Sequence, residues 1–288
     1  MSSQRLKFGR LGSRGNEFPV VSAGNALYDL RHLATDLDGP FLQTAFAART
    51  RAALDAGELL EVDKAETYRV GAPIHAPGKI VCIGLNYRDH AHETGAVIPT
   101  EPVVFMKDPS TIIGPYDEVL VPRNSQKTDW EVELGVVIGQ TARYLTSPAE
   151  ALHHVAGYVI SHDVSEREFQ LERGGQWDKG KSCETFNPLG PWLIPSNQMN
   201  NPQDLRLSLD VNGIRRQDGT TANMIFDVAH IIWYLSQFMV LRPGDLINTG
   251  TPAGVAMGMP DTPYLKPGDV VQLEISGLGS ARQTVGAA

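Results

Sequence analysis

Apolar residues along this chain fall in short runs punctuated by glycine and proline, not in long helical stripes. With 28 Gly and 19 Pro in 288 residues, that texture predicts many strands and turns. The most informative run is Trp130-Glu131-Val132-Glu133-Leu134-Gly135-Val136-Val137-Ile138, closed by Gly139 and Gln140. Successive side chains on a strand point to opposite faces, so Glu131 and Glu133 share one face. Trp130, Val132, Leu134 and Val136 form a core pattern on the other. Two carboxylates about 7 Å apart at the edge of a core repel each other and resist desolvation. A hard divalent cation is the simplest compensation; the alternative is a surface strand carrying two solvated acids.

The remaining pattern divides the chain. Strands are predicted at 6–8, 18–22 and 26–29, and a helix over 41–56 that Gly57 stops. Gly71-Ala72-Pro73-Ile74-His75-Ala76-Pro77-Gly78 discourages regular structure. It separates a small α/β unit, 1–72, from a larger unit, 73–288. In the larger unit strands are predicted at 80–83, 103–107, 118–121 and 157–162. Two more, 205–211 and 214–217, flank Asn212-Gly213, a strong hairpin signal. Ser147-Pro148-Ala149-Glu150 predicts a short helix ending near 155. Ser165-Glu166-Arg167-Glu168 reads as a capping box, so a second helix is expected just after Asp163. The longest helix is expected over 224–238. Arg242-Pro243-Gly244-Asp245 and Lys266-Pro267-Gly268-Asp269 suit type II turns, each followed by a strand.

Composition narrows the function. A formal charge of −8 disfavours a nucleic-acid or anionic-membrane surface but leaves an anionic substrate open. The two cysteines, Cys82 and Cys183, form no C-x-x-C pair, which excludes zinc-ribbon and disulfide frameworks. A reduced, cytoplasmic protein fits. The first residues lack the apolar core of a signal peptide, and no apolar run approaches the ~20 residues that span a bilayer.

Several segments carry candidate chemistry. In Asn86-Tyr87-Arg88-Asp89-His90-Ala91-His92-Glu93, His90 and Glu93 lie on one face of a short helix. A carboxylate beside an imidazole makes a general base, although an exposed polar helix has the same pattern. His92 points elsewhere, to the surface or a lid over 91–100. Asp163 falls where a strand ends, a position that projects into clefts or caps a helix. With Glu131 and Glu133 it gives three carboxylates and no thiolate, a donor set that selects Mg²⁺, Mn²⁺ or Ca²⁺. Strand alternation turns His162 away from Asp163. Lys179-Gly180-Lys181-Ser182 lacks the preceding strand and glycine spacing of a phosphate-binding loop. Lys181 is either an oxyanion stabiliser or a solvated loop lysine. Asn248-Thr249-Gly250-Thr251-Pro252-Ala253-Gly254 is either a tight loop or a set of N–H groups offered to a carboxylate.

Taken in order, Gly84-x-Asn86-Tyr87-x-x-His90-x-x-Glu93, Glu131-x-Glu133-Leu134, Asp163-x-x-x-Arg167-x-x-Gln170, Lys181-Ser182 and Thr249-Gly250-Thr251-Pro252-x-Gly254 resemble the fumarylacetoacetate hydrolase family. The segment from Arg173 to Lys181 resembles its branch of diketo-deoxy-sugar-acid hydrolases and ureidoglycolate-lyase-like proteins. The resemblance implies an α+β, β-rich fold: a mixed β-sandwich roll behind a small N-terminal domain, assembled as a homodimer. It implies Mg²⁺ or Mn²⁺ (Ca²⁺ in crystals) on Glu131, Glu133 and Asp163. It further implies a catalytic His90–Glu93 dyad, Lys181 as cationic stabiliser, and Tyr87, Arg167, Gln170 and Thr251 around a small anionic keto acid. The implied activity is hydrolysis of a C–C bond in a 2,4-dioxo acid, of acylpyruvate or diketo-deoxy sugar acid type, through an enolate held at the cation. The same site would suit an oxaloacetate-type decarboxylase, a keto–enol isomerase or a ureidoglycolate lyase. A calcium-stabilised binding module is the non-enzymatic alternative.

Overall fold

The computed structural model of the chain describes residues 5–288 except 94 and 96. Its N-terminal part is a four-stranded sheet, ordered Ala26–Asp29, Phe18–Ala23, Leu6–Leu11 and Val70–Gly71. Two short helices, Gly39–Leu42 and Phe46–Asp55, stand where one helix over 41–56 was expected. Asp38 caps the first, and the Thr44 hydroxyl donates to the Phe41 carbonyl at 2.7 Å, which ends it early. The break lets Phe46 sit edge-on to Phe8, 5.0 Å between ring centres.

The larger part is a sandwich of two sheets. One has six strands, in the order Ile194–Pro195, Val155–His162, Val132–Ile138, Leu246–Asn248, Ile80–Gly84 and Val103–Lys107. The other has five: Ile214–Thr220, Arg206–Val211, Val270–Ile275, Gly279–Ala287 and Val119–Val121. Most pairs are antiparallel, but Leu246–Asn248 runs parallel to Ile80–Gly84, and Gly279–Ala287 to Val119–Val121. The sheets are mixed, and with few short helices the fold is α+β and β-rich.

The strand Val132–Ile138 is buried along its whole length. Val132, Leu134, Val136 and Ile138 pack between the two sheets. Val137, on the opposite face, joins a second core with Leu6, Phe8, Leu193 and Leu246. The surface-strand alternative for Glu131 and Glu133 is thereby removed, since neither face meets bulk water. Phe8 also exchanges backbone hydrogen bonds with Leu193, at 3.0 and 2.8 Å. The N-terminal sheet thus shares one apolar core with the sandwich across the boundary expected at 72/73.

Local signals held where tertiary contacts agreed with them. Asn212 and Gly213 take φ of 53° and 76° between the two hairpin strands. Gly244 and Gly268, at 89° and 97°, supply the positive φ of their Pro-Gly turns. The capping box after Asp163 did not form a cap. The Ser165 hydroxyl donates to the Asp163 carbonyl, and Ser165–Glu166 pairs as a strand with Thr128–Asp129. Only Glu168–Glu172 turns helical, as a π-turn. The helix expected over 224–238 shortens to Val228–Ser236, capped by Asp227. Asn86 binds the backbone of Ile225 and Phe226 with its own carbonyl and its side-chain amide, which removes two residues from that helix.

Three buried side chains close a hydrogen-bond ring between strands. Ser161 donates to Asn248 Oδ1 (2.8 Å), Asn187 to Ser161 (3.1 Å) and Asn248 to Asn187 Oδ1 (2.9 Å). Asn248→Ala strands two buried partners at once. Denaturant unfolding is expected to show a loss of about 2–4 kcal/mol, whereas a loss under ~0.5 kcal/mol would mean that the ring adds little.

Candidate active site

Strand register brings the acids together. Val132 pairs with His162, so the next residue, Asp163, stands beside Glu131 and donates its N–H to the Glu131 carbonyl at 3.0 Å. On the other flank Gly135 pairs with Asn248. The chain that leaves this strand delivers the Gly250 N–H to Glu133 Oε2 at 2.8 Å. Ligand atoms of Glu131, Glu133 and Asp163 all lie within 4.8 Å of one another, and all three residues are buried.

Buried cations oppose this charge unevenly. Arg167 holds Asp129 (2.9 Å) and Glu131 (2.6 Å), and also reaches Gln170. Lys181 Nζ bridges Glu131 (2.8 Å) and Asp163 (3.0 Å). Lys107 holds the second Asp163 oxygen at 2.5 Å. Glu133 makes no ion pair among the described residues. Burial, then the charges of Asp163 and Glu131, push its carboxyl well above the usual range. Burial also opposes ionisation of Glu131, but Lys181 and Arg167 outweigh it and hold that carboxyl far below its usual range. Three carboxylates, one of them without an ion pair, form an all-oxygen donor set that fits a hard divalent cation. Glu131, Glu133 and Asp163 are the residues that would hold it.

Lys181 reaches the acids from a four-residue helix, Asp178–Lys181. Gly180 allows this placement, because a Cβ there would lie 2.3 Å from the Glu166 carbonyl and 2.5 Å from the Gln170 nitrogen. Asp178 fastens the helix to the Met106 N–H at 3.0 Å.

The loop that follows Asn248 is held largely by acids. Besides the Gly250–Glu133 bond, the Gly254 N–H meets both Glu93 oxygens at 3.0 Å. Asp129 takes the N–H groups of Ala256 (2.7 Å) and Met257 (3.1 Å). Gly258 packs so closely on Glu93 that a Cβ would lie 2.6 Å from its carboxyl carbon. Glu93 also lies 3.5 Å from His90 Nδ1 through Oε2.

These elements enclose a cavity of about 210 Å³. Glu131, Glu133, Lys181 and Arg167 are buried walls of it, with His90 among the lining residues. Leu171, 43% exposed, marks its mouth, beside half-buried Leu85, Trp177 and Met257. Leu85 has φ of 51°, a left-handed conformation that costs a residue with a Cβ roughly 1–2 kcal/mol.

Of the expected site residues, His90, Glu131, Glu133, Arg167, Gln170, Lys181 and Thr251 line the cavity. Asp163 stands behind it in the acid cluster, and Glu93 behind His90. Tyr87 departs from the expected substrate contact. The backbone reverses at Leu85, and the Tyr87 ring enters the core between the sheets, fully buried. His162 faces away, 3.0 Å from Gln283, and burial lowers its pKa to about 4. Residues 94 and 96 of the expected lid lie outside the described residues, while Val97 is 89% exposed. Sequence reasoning missed Asp129 and Lys107. Asp129 was readable, since Asp129-x-Glu131-x-Glu133 keeps one strand phase. Lys107, at the end of an apolar strand, carried no such signal.

With this geometry in place, comparison with known proteins fixes the class. Residues 79–286 match the model of the fumarylacetoacetate (FAA) hydrolase C-terminal domain. The chain is 49% identical to a 2,4-didehydro-3-deoxy-L-rhamnonate hydrolase of Sphingomonas sp. (strain SKA58), covering 97% of this chain and 96% of that one. Among solved structures, the fumarylacetoacetate hydrolase of psychrophilic Exiguobacterium antarcticum superposes with a TM-score of 0.85 at 34% identity, covering 98% of this chain and 100% of that one. The maleylpyruvate hydrolase of Sphingobium sp. SYK-6 gives 0.81 at 25% identity, over 98% and 100% of the two chains. This chain therefore belongs to the fumarylacetoacetate hydrolase family of enzymes.

Burial raises the pKa of Glu93, but bonds from His90 and Gly254 outweigh it, so the folded value lies below the ordinary 4.5. A depressed acid stabilises the fold above its unfolded pKa, and that stability is lost as pH falls through the folded value. Glu93→Gln is thus expected to be less stable than the parent at pH 7. The gap should close on acidification below about pH 4.5; urea titrations across that range would show it, and a pH-independent gap would contradict it.

Proposed function

We propose that this enzyme hydrolyses the C3–C4 bond of a 2,4-dioxo acid of the diketo-deoxy sugar acid kind, with Mg²⁺ or Mn²⁺ on Glu131, Glu133 and Asp163. The observation that carries the reading is the uncompensated Glu133 in the same cavity as His90 and Lys181. The name of the Sphingomonas relative, similar over nearly the whole chain, supports the substrate class. When bound, the cation supplies a docking point for a carboxylate with its adjacent keto group, and withdraws electrons from that end.

The chain's own groups perform the rest. His90, with Glu93 behind Nδ1 to orient the ring, takes a proton from water. The water oxygen adds to the C4 carbonyl. Lys181 uses two N–H bonds on Glu131 and Asp163, so its third faces the cavity and meets the alkoxide that forms. Burial disfavours the charge on Lys181, but Asp163 and Glu131 more than offset it and keep the ammonium protonated. The C3–C4 bond breaks, its electron pair passes to the 2-oxo group, and C3 takes a proton from the His90 imidazolium. The products are a carboxylic acid and pyruvate. Ile83 and Phe105 give the cavity apolar walls beside these groups.

Pyruvate release from 2,4-dioxo acids is expected with Mg²⁺ and lost with EDTA. His90→Ala should lower kcat roughly 10²–10⁴-fold while calorimetry shows Mg²⁺ binding unchanged. Full turnover by metal-stripped protein, or by the His90 variant, would sink the proposal. Because burial beside Asp163 and Glu131 raises the Glu133 pKa, protons and Mg²⁺ compete for this carboxylate. Mg²⁺ affinity should therefore fall as pH is lowered, and a flat affinity–pH profile would count against Glu133 as a ligand.

A further inference from the structure

Charge and apolar surface are segregated along the cavity. Its floor carries the acids with Lys181 and Arg167, each of those cations already bonded to two carboxylates. Its mouth carries Leu85, Leu171, Trp177 and Met257. A residue as unsuited to a left-handed backbone as leucine contributes one of those walls. Trp177 leans over Gly84, where a Cβ would lie 2.6 Å from its ring, and rests edge-on against Phe105. Three further cations lie outside that lining. Arg173 lies over the Phe169 ring, and Lys179 donates to the Arg173 carbonyl. Arg216 lies over the Trp130 ring. Among the residues that line the cavity the arginine and lysine are Arg167 and Lys181, both on the floor, and the four at the mouth carry no charge.

We infer that the site selects monocarboxylates whose far end is uncharged, a terminal methyl included, and discriminates against dicarboxylates of the same length. The inference rests on the reading above that the carboxylate and keto end lies on the cavity floor. A charged far end would lie against Leu85, Leu171, Trp177 and Met257, losing water without gaining a partner. The cavity is also smaller than the roughly 300–1,000 Å³ of sites for drug-sized ligands, which favours a short chain.

Two matched pairs test this. Turnover is compared for 2,4-dioxoheptanoate and 2,4-dioxoheptanedioate, which differ only in ending in methyl or carboxylate. Binding to the Mg²⁺-loaded enzyme is compared by calorimetry for the unreactive 2-oxohexanoate and 2-oxoadipate. The methyl-ended member is expected to lead by roughly tenfold or more in both kcat/KM and affinity. Leu171→Lys should shift both ratios toward the dicarboxylate by roughly tenfold; Leu171→Met should leave the preference in place. Turnover of both dioxo acids with ratios near one, or a dicarboxylate preference, overturns the inference alone. Turnover of neither overturns the hydrolase reading, and the inference with it. Should Leu171→Lys fail to fold, the parent enzyme's two ratios decide.

Discussion

The structure is organised around a concentration of buried negative charge. Asp129, Glu131, Glu133 and Asp163 are all removed from solvent within two adjoining strands and their extensions. Charges so placed persist only when matched by cations, hydrogen bonds or metal. Lys107, Arg167 and Lys181 supply part of that match, each from a different segment. To put them there, the chain must press a π-turn and a four-residue helix against each other. Gly180, at their contact, is the residue whose lack of a side chain makes this possible.

Two of these acids, with Glu93, hold the loop that follows Asn248. Glu133, Glu93 and Asp129 bind backbone N–H groups at Gly250, Gly254, Ala256 and Met257. Thr251 donates to the Val132 carbonyl and Trp130 to the Gly254 carbonyl, so the strand and the loop are tied in both directions. A loop without regular structure thereby gains the rigidity of the sheet it borders. Asn86 adds the third side, joining the Thr249 carbonyl to the segment before the helix Val228–Ser236.

Much of this was legible in the sequence, for identifiable reasons. Period-two alternation placed Glu131 and Glu133 on one face, and the Asn212-Gly213 and Pro-Gly turns followed from backbone sterics alone. The ordered motifs identified the family because each is a local arrangement that survives in the chain. What failed was local reasoning at places where distant segments intervene. Ser165 and Glu166 pair with Asp129 and Thr128, 36 and 38 residues away, and so do not cap a helix. Tyr87 goes to the core because of a backbone reversal at Leu85, where a leucine gives no hint of positive φ. Lys107 looks like the end of a strand until the fold brings Asp163 to it.

The family match begins at residue 79, yet the hydrophobic interior does not. Leu6, Phe8 and Phe46 occupy the same apolar cluster as Val137, Val159 and Leu193. The first sheet is further riveted to the rest by Arg69, which grips Glu17 on one side and Asp117 on the other. A truncation that kept every motif would uncover the back of the strand that carries Glu133. The amino-terminal segment is thus the rear wall of the catalytic sheet, and the chemistry in front depends on it staying dry.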